Sequence, residues 1–166
     1  MINLDLIPSP RSDKWKNIFA AFTVGIFLVL IGSSILHNIT PPDPFFGVDS
    51  APYNPKTIPI ATFIFMIFRA VILAPLVEEG FWRYFVISLI RYRSDYNHLR
   101  LPFVIGGSLL FGYWHGGETN ILVQGLFGFC LYWVYIKNGF SYWSSVLVHA
   151  AYNALLIGGV ISFPNF

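Results

Sequence analysis

The hydrophobic residues of this 166-residue chain fall into long runs that are separated by polar, charged or proline-rich segments. The runs extend over about 17–36, 57–90, 102–115, 120–136 and 142–161. A helix of about 20 apolar residues is long enough to cross the hydrocarbon core of a bilayer. The pattern therefore predicts an all-α fold, a polytopic transmembrane helical bundle of about five crossings.

The second run does not fit a simple crossing. At about 1.5 Å per residue, a continuous helix over 57–90 would extend on the order of 50 Å, too long for one upright crossing and too short for two. Pro75 lies within this run, and a proline removes one backbone hydrogen bond and kinks a helix. We predict one tilted, broken crossing here.

Composition supports the membrane interpretation. Hydrophobic residues make up 55% of the chain and charged residues 11%, which leaves too little polar surface to cover a soluble globule. The net charge is only +2 and no basic stripe is interleaved with aromatic residues, so we expect no nucleic-acid partner. We predict a single transmembrane domain over 1–166, with the lipid bilayer as its surroundings.

The positive charges predict an orientation, because lysine and arginine concentrate on the cytoplasmic side of short loops. Alternating crossings place most cationic residues on the N-terminal side and only Lys56 opposite them. The N-terminal side holds Arg11, Lys14, Lys16, Arg91, Arg93, Arg100 and Lys137. We therefore predict a cytoplasmic N terminus, in the plasma (inner) membrane of a prokaryote.

Several polar side chains lie inside the apolar runs, where each needs a partner, a wet cavity or a function. They are Glu78, Glu79, Arg83, His115, His149 and Asn153. Counted from the predicted cytoplasmic helix ends at about 1.5 Å per residue, Glu78 and His115 lie about 19 to 20 Å deep. The same count places His149 about 11 Å and Asn153 about 17 Å deep. If the helices are neighbours, one membrane layer holds all four, and a single site is expected.

Helical spacing separates the two glutamates. Glu79 and Arg83 are four residues apart and can pair on one helix face. Glu78 lies about 100° away around the helix, free to accept a proton. Interhelical hydrogen bonding alone is a common use of polar residues in membrane helices, and it is the favoured interpretation of the Glu79 and Arg83 pair. A second adjacent carboxylate adds charge repulsion that packing does not require, so Glu78 is the strongest functional candidate.

The same spacing occurs on two further helices. His149 and Asn153 share a face and could direct two hydrogen-bond donors at one point, although a purely structural hydrogen-bonding role is an equal alternative. Phe111 and His115 also share a face, so the phenyl ring can orient the imidazole and exclude water from one side.

These residues form three motifs: Glu-Glu-x-x-x-Arg at 78–83, Phe-x-x-x-His at 111–115 and His-x-x-x-Asn at 149–153. Together and in this order they resemble the motifs of the CAAX protease and bacteriocin-processing family of intramembrane peptidases, also called the Abi family. The resemblance covers about 60–158, which is the expected catalytic core.

The resemblance implies hydrolysis of a peptide bond in a membrane-associated or lipid-modified protein substrate. Glu78 and His115 would activate a water molecule, while His149 and Asn153 would stabilise the oxyanion. Glu79, Arg83 and Phe111 would support these groups, and no cofactor is implied. Prenylated, bacteriocin-type and C-terminal sorting substrates all stay open.

Two alternatives remain. Glu78, His115 and His149 could instead bind a catalytic zinc ion with water in the fourth position, although the chain has no His-Glu-x-x-His motif. The chain could also be a non-catalytic bacteriocin-immunity or partner-binding membrane protein. Every motif position is filled, which a binding scaffold would not need, and this favours the enzyme.

Overall fold

A computed structural model describes residues 11–37, 59–91, 98–118 and 120–162. Across these ranges every regular element is helical, so the predicted all-α fold is confirmed. A short 3-10 turn, Arg11–Asp13, leads into the first helix. The helices are α1 (Lys14–His37), α2 (Ile60–Arg91), α3 (Arg100–Trp114), α4 (Asn120–Lys137) and α5 (Tyr142–Ser162).

Three segments have the length and the apolar composition to cross a bilayer: Arg11–Ile35, Ile60–Arg91 and Asn120–Lys137. Their outer faces carry large hydrophobic side chains, such as Phe27 and Phe65, which are 62% and 59% exposed. Such faces are unfavourable in water and suit contact with lipid. The bundle is therefore a membrane protein, whereas five crossings and a cytoplasmic N terminus stay predictions.

Helix α2 changes its hydrogen-bond register twice. Its segments are Ile60–Phe68 (α), Arg69–Leu73 (π), Ala74–Glu79 (α), Gly80–Phe85 (π) and Val86–Arg91 (α). The break that the sequence predicts at Pro75 is thus a π-turn that ends at Leu73, two residues before the proline, and the helix continues through it. The second π-turn lies directly after the two glutamates, and no proline in the sequence predicts it.

Helix α4 packs against α1, α3 and α5. Its buried Phe127 and Leu131 join Phe111 of α3 and the α5 residues Val148 and Tyr152 in one apolar cluster. A second cluster joins α2, α3 and α4, and it contains Ile87, Ile90, Val104, Tyr132, Tyr135 and Ile136. The two clusters hold the motif-bearing helices against one another.

The end of α3 is held close to the start of α4. A Cβ atom on Gly112 would lie 2.7 Å from the Gly125 backbone nitrogen and 2.8 Å from the Asn120 carbonyl oxygen, so only glycine permits this approach. In the turn that follows, Gly117 has a φ of 75°, which glycine adopts without strain. The Asn120 side chain donates to the His115 carbonyl at 2.8 Å. These contacts fix the backbone at His115.

Candidate active site

A carboxylate from α2 faces two imidazoles from α3 and α5. Glu78 Oε2 lies 3.2 Å from His115 Nε2 and 3.9 Å from His149 Nε2. The side chains of Glu78 and His115 are each 25% exposed, whereas that of His149 is 5% exposed. Tertiary packing thus brings together three residues that lie 37 and 71 positions apart, counted from Glu78.

The backbone determines which nitrogen of His115 carries a proton. Its Nδ1 lies 2.7 Å from the Phe111 carbonyl oxygen, and because a carbonyl only accepts, Nδ1 must donate. The Nε2 atom of a neutral His115 ring then has a lone pair directed at Glu78. Two lone pairs would repel at 3.2 Å, so the contact is favourable when one proton is shared by Glu78 and His115.

His149 is bound on its other side by the second glutamate. Its Nδ1 lies 2.8 Å from Glu79 Oε1, and the same oxygen lies 3.0 Å from Arg83 Nη1. The side chains of Glu79 and Arg83 are fully buried. The ion pair expected from their spacing is present, and the Glu79 carboxylate orients His149 so that Nε2 points toward Glu78.

Asn153 contacts a different part of α2. Its Nδ2 donates to the Ala70 carbonyl oxygen at 2.8 Å, whereas His149 contacts the carboxylates of Glu78 and Glu79. The two α5 side chains therefore bind different acceptors here, and their direction at one common point stays a prediction. One N–H of the Asn153 amide is thus engaged with the backbone of α2.

Aromatic rings surround the buried charge. The Arg83 guanidinium carbon lies 4.2 Å from the centre of the Phe111 ring and 5.0 Å from that of Tyr132, and Nη2 donates to the Gly128 carbonyl at 3.3 Å. Cation–π contacts and a paired carboxylate offset the desolvation of such a charge. The Phe111 ring also lies 4.3 Å from the His115 ring, so Phe111 separates Arg83 from that imidazole.

Two aromatic residues at the site were missed by sequence reasoning. Tyr132 contacts Arg83, and the Phe127 ring lies 5.9 Å from the His149 ring. Both belong to the fourth apolar run, which carries none of the three motifs. Nothing in its spacing distinguishes them from other core aromatics.

The stretch of the chain that contains all three motifs matches a known protein family. Residues 60–155, more than half of the chain, match the family described as type II CAAX prenyl endopeptidase, Rce1-like. The chain belongs to this family. No curated protein and no solved structure matches the chain.

Membership of the Rce1-like family confirms the resemblance drawn from the motifs and makes the chain a member of a family of CAAX-type membrane proteases. The matched region includes Glu78, His115, His149 and Asn153. Within the described part of this Rce1-like chain, no three histidine, cysteine, aspartate or glutamate side chains are arranged to hold a metal ion.

Proposed function

We propose that the chain is a glutamate-type intramembrane endopeptidase that hydrolyses a peptide bond of a membrane-associated or lipid-modified protein. The observation that carries this proposal is the contact of the Glu78 carboxylate with the imidazoles of His115 and His149. We place the enzyme in the inner membrane of a prokaryote. The family description makes a prenylated CAAX peptide the first substrate to test.

Exposure supports Glu78 as the reacting carboxylate. A quarter of the Glu78 side chain is accessible, and the Glu79 side chain is fully buried. Water and substrate can reach only the first of them. Glu79 is also occupied by Arg83 and His149, so it has a structural and orienting role.

In the proposed mechanism, Glu78 and His115 remove a proton from a water molecule as its oxygen attacks the scissile carbonyl carbon. The carbon–oxygen bond forms and the carbonyl π electrons move to oxygen. His149 Nε2 and the second N–H of the Asn153 amide donate to that oxyanion. The carbon–nitrogen bond then breaks, and the proton held by Glu78 and His115 passes to the leaving amine.

In this mechanism the buried pair of Glu79 and Arg83 orients the His149 ring. For Nε2 to donate to an oxyanion while Nδ1 donates to Glu79, the His149 ring must carry both protons. Glu79 Oε1 lies 2.8 Å from His149 Nδ1 and 3.0 Å from Arg83 Nη1, so the carboxylate holds the ring in this orientation.

The test compares Glu78→Gln with wild type in proteoliposomes that contain a prenylated CAAX peptide. Glu78→Gln keeps the side-chain volume but removes the base, so we expect the cleavage rate to fall by about 100-fold to 10,000-fold. Glu118→Gln, in the exposed turn after α3, is the matched control and should cleave at the wild-type rate. Equal cleavage by wild type and Glu78→Gln would contradict the proposal.

We propose further that hydrolysis needs no metal ion. Activity of the purified protein should persist after exhaustive chelation. Loss of activity that added zinc restores would favour the zinc alternative, in which Glu78, His115 and His149 are ligands. A cellular function that Glu78→Gln retains in full would favour the non-catalytic alternative.

A further inference from the structure

One backbone carbonyl of α2 loses its usual donor at the second π-turn. In an α-helix the Val86 amide would donate to the Trp82 carbonyl, four residues earlier. It donates instead to the carbonyls of Phe81 and Arg83. The Trp82 carbonyl accepts a hydrogen bond from the Tyr132 hydroxyl of α4.

The first π-turn is supported in the same way. The Ala74 amide donates to the Arg69 carbonyl, five residues earlier, and so passes over the Ala70 carbonyl. Asn153 of α5 donates to that carbonyl. At each register shift of α2, therefore, a side chain from another helix donates to the carbonyl that has lost its backbone donor. The Glu78–Glu79 pair lies between the two shifts.

A π-turn sets the rotational position of the residues beside it. One added residue rotates the helix that follows by about 100°. Ile87 and Ile90, beyond the second π-turn, are buried in the core and hold that end of α2 in place. If the turn relaxed to a regular α-helix, the glutamates would rotate away from the imidazoles.

Tyr132 contacts this turn through two groups. Its hydroxyl binds the Trp82 carbonyl and its ring lies against the Arg83 guanidinium, which in turn pairs with Glu79. Gly107 of α3 makes room for the hydroxyl, because a Cβ atom there would overlap it. The Tyr132 side chain is fully buried.

We propose that Tyr132 is a positioning residue of the active site, whose hydroxyl stabilises the second π-turn and so keeps Glu78 directed at His115. This inference rests on the proposed peptidase function. Tyr132 acts through the backbone of α2, and it does not touch the reacting atoms.

The experiment uses Tyr132→Phe, which removes only the hydroxyl, and Tyr142→Phe as its matched control. Tyr142 donates to the Leu76 carbonyl at 2.7 Å, but that carbonyl also accepts the Gly80 amide and keeps a donor without the tyrosine. We expect kcat of Tyr132→Phe to fall by about 10-fold to 100-fold with little change in KM, since a small misplacement of a catalytic group has effects of this size. Tyr142→Phe should stay within about twofold of wild type.

A second measurement reports the rotation of α2 without requiring activity. Cysteines are placed by Glu78→Cys and His115→Cys after Cys130→Ser removes the native thiol, and a short bifunctional thiol reagent joins them. We expect Tyr132→Phe to lower the yield of this cross-link, whereas Tyr142→Phe should not. The cross-link stays informative if wild type cleaves no substrate, so failure of the proposed function and failure of this inference are distinguishable.

Wild-type kcat in Tyr132→Phe would overturn the inference, and so would a lower kcat with an unchanged cross-link yield. If Tyr132→Phe does not fold, Gly107→Ala displaces the hydroxyl while the tyrosine stays. Gly106→Ala is its control, because a Cβ atom there meets nothing within 4 Å. Equal kcat and cross-link yield in the two glycine variants would again overturn the inference.

Discussion

At the scale of single residues, two adjacent glutamates have different environments. Glu78 is partly exposed and faces two imidazoles, whereas Glu79 is fully buried between Arg83 and His149. A water molecule can therefore reach Glu78 but not Glu79. In the proposed mechanism, the neighbouring carboxylates therefore have different roles, Glu78 as the reacting group and Glu79 as its support.

Replacement of the buried carboxylate should affect stability as well as activity. Glu79→Gln leaves the Arg83 guanidinium buried without an anionic partner, and breaking a buried pair in this way costs about 3 to 5 kcal/mol. We expect a clear decrease in the unfolding temperature together with lower activity. Glu78→Gln, the adjacent substitution, should lose activity with little loss of stability. Equal unfolding temperatures for the two variants would contradict this division of roles.

At the scale of elements, helix α2 is irregular on both sides of the two glutamates. A π-turn precedes Pro75 and a second follows Glu79, so the glutamates lie on a short α-helical segment between two register shifts. The carbonyls exposed by these shifts bind Asn153 and Tyr132. These bonds also tie α2 to α4 and α5, the helices that pack around the site.

The proline can be tested separately from the site. Pro75→Ala restores a backbone N–H and so favours a regular α-helix over the π-turn before it. We expect kcat to fall while the unfolding temperature is retained or increased. Pro102→Ala is the control, because Pro102 lies in the first turn of α3, where amides have no intrahelical partner. Wild-type kcat in Pro75→Ala would show that the first π-turn does not position Glu78.

At the scale of the whole molecule, α4 is the element on which the site is assembled. It packs against α1, α3 and α5 and contributes the aromatic rings beside Arg83 and His149. Its close approach to α3 depends on Gly112, one turn before His115. Packing of the bundle and placement of that imidazole are thus linked.

Gly112→Ala should therefore weaken both properties. The added methyl group would meet backbone atoms of α4, which cannot move unless the helices separate, and overpacking of this kind costs about 1 to 3 kcal/mol. We expect a lower unfolding temperature and slower cleavage. Gly106→Ala, on the open side of the same helix, should change neither. An unchanged unfolding temperature in Gly112→Ala would contradict the packing account.

Local sequence determined the helices and the candidate residues, because apolar runs and four-residue spacings are properties of short segments. The five helices, the break near Pro75 and the pairing of Glu79 with Arg83 follow from such patterns. The three motifs also indicated the family, and the family match over 60–155 confirms it.

Only the tertiary structure decided what each polar group meets. Asn153 binds the Ala70 carbonyl and Tyr132 binds the Trp82 carbonyl, and both contacts join residues that lie far apart in the chain. The second π-turn arises where no local sequence signal marks it. Helix rotation and packing determine these contacts, and a rotation of one residue redirects a side chain by about 100°. The direction of the Glu78 carboxylate is therefore a property of the assembled bundle.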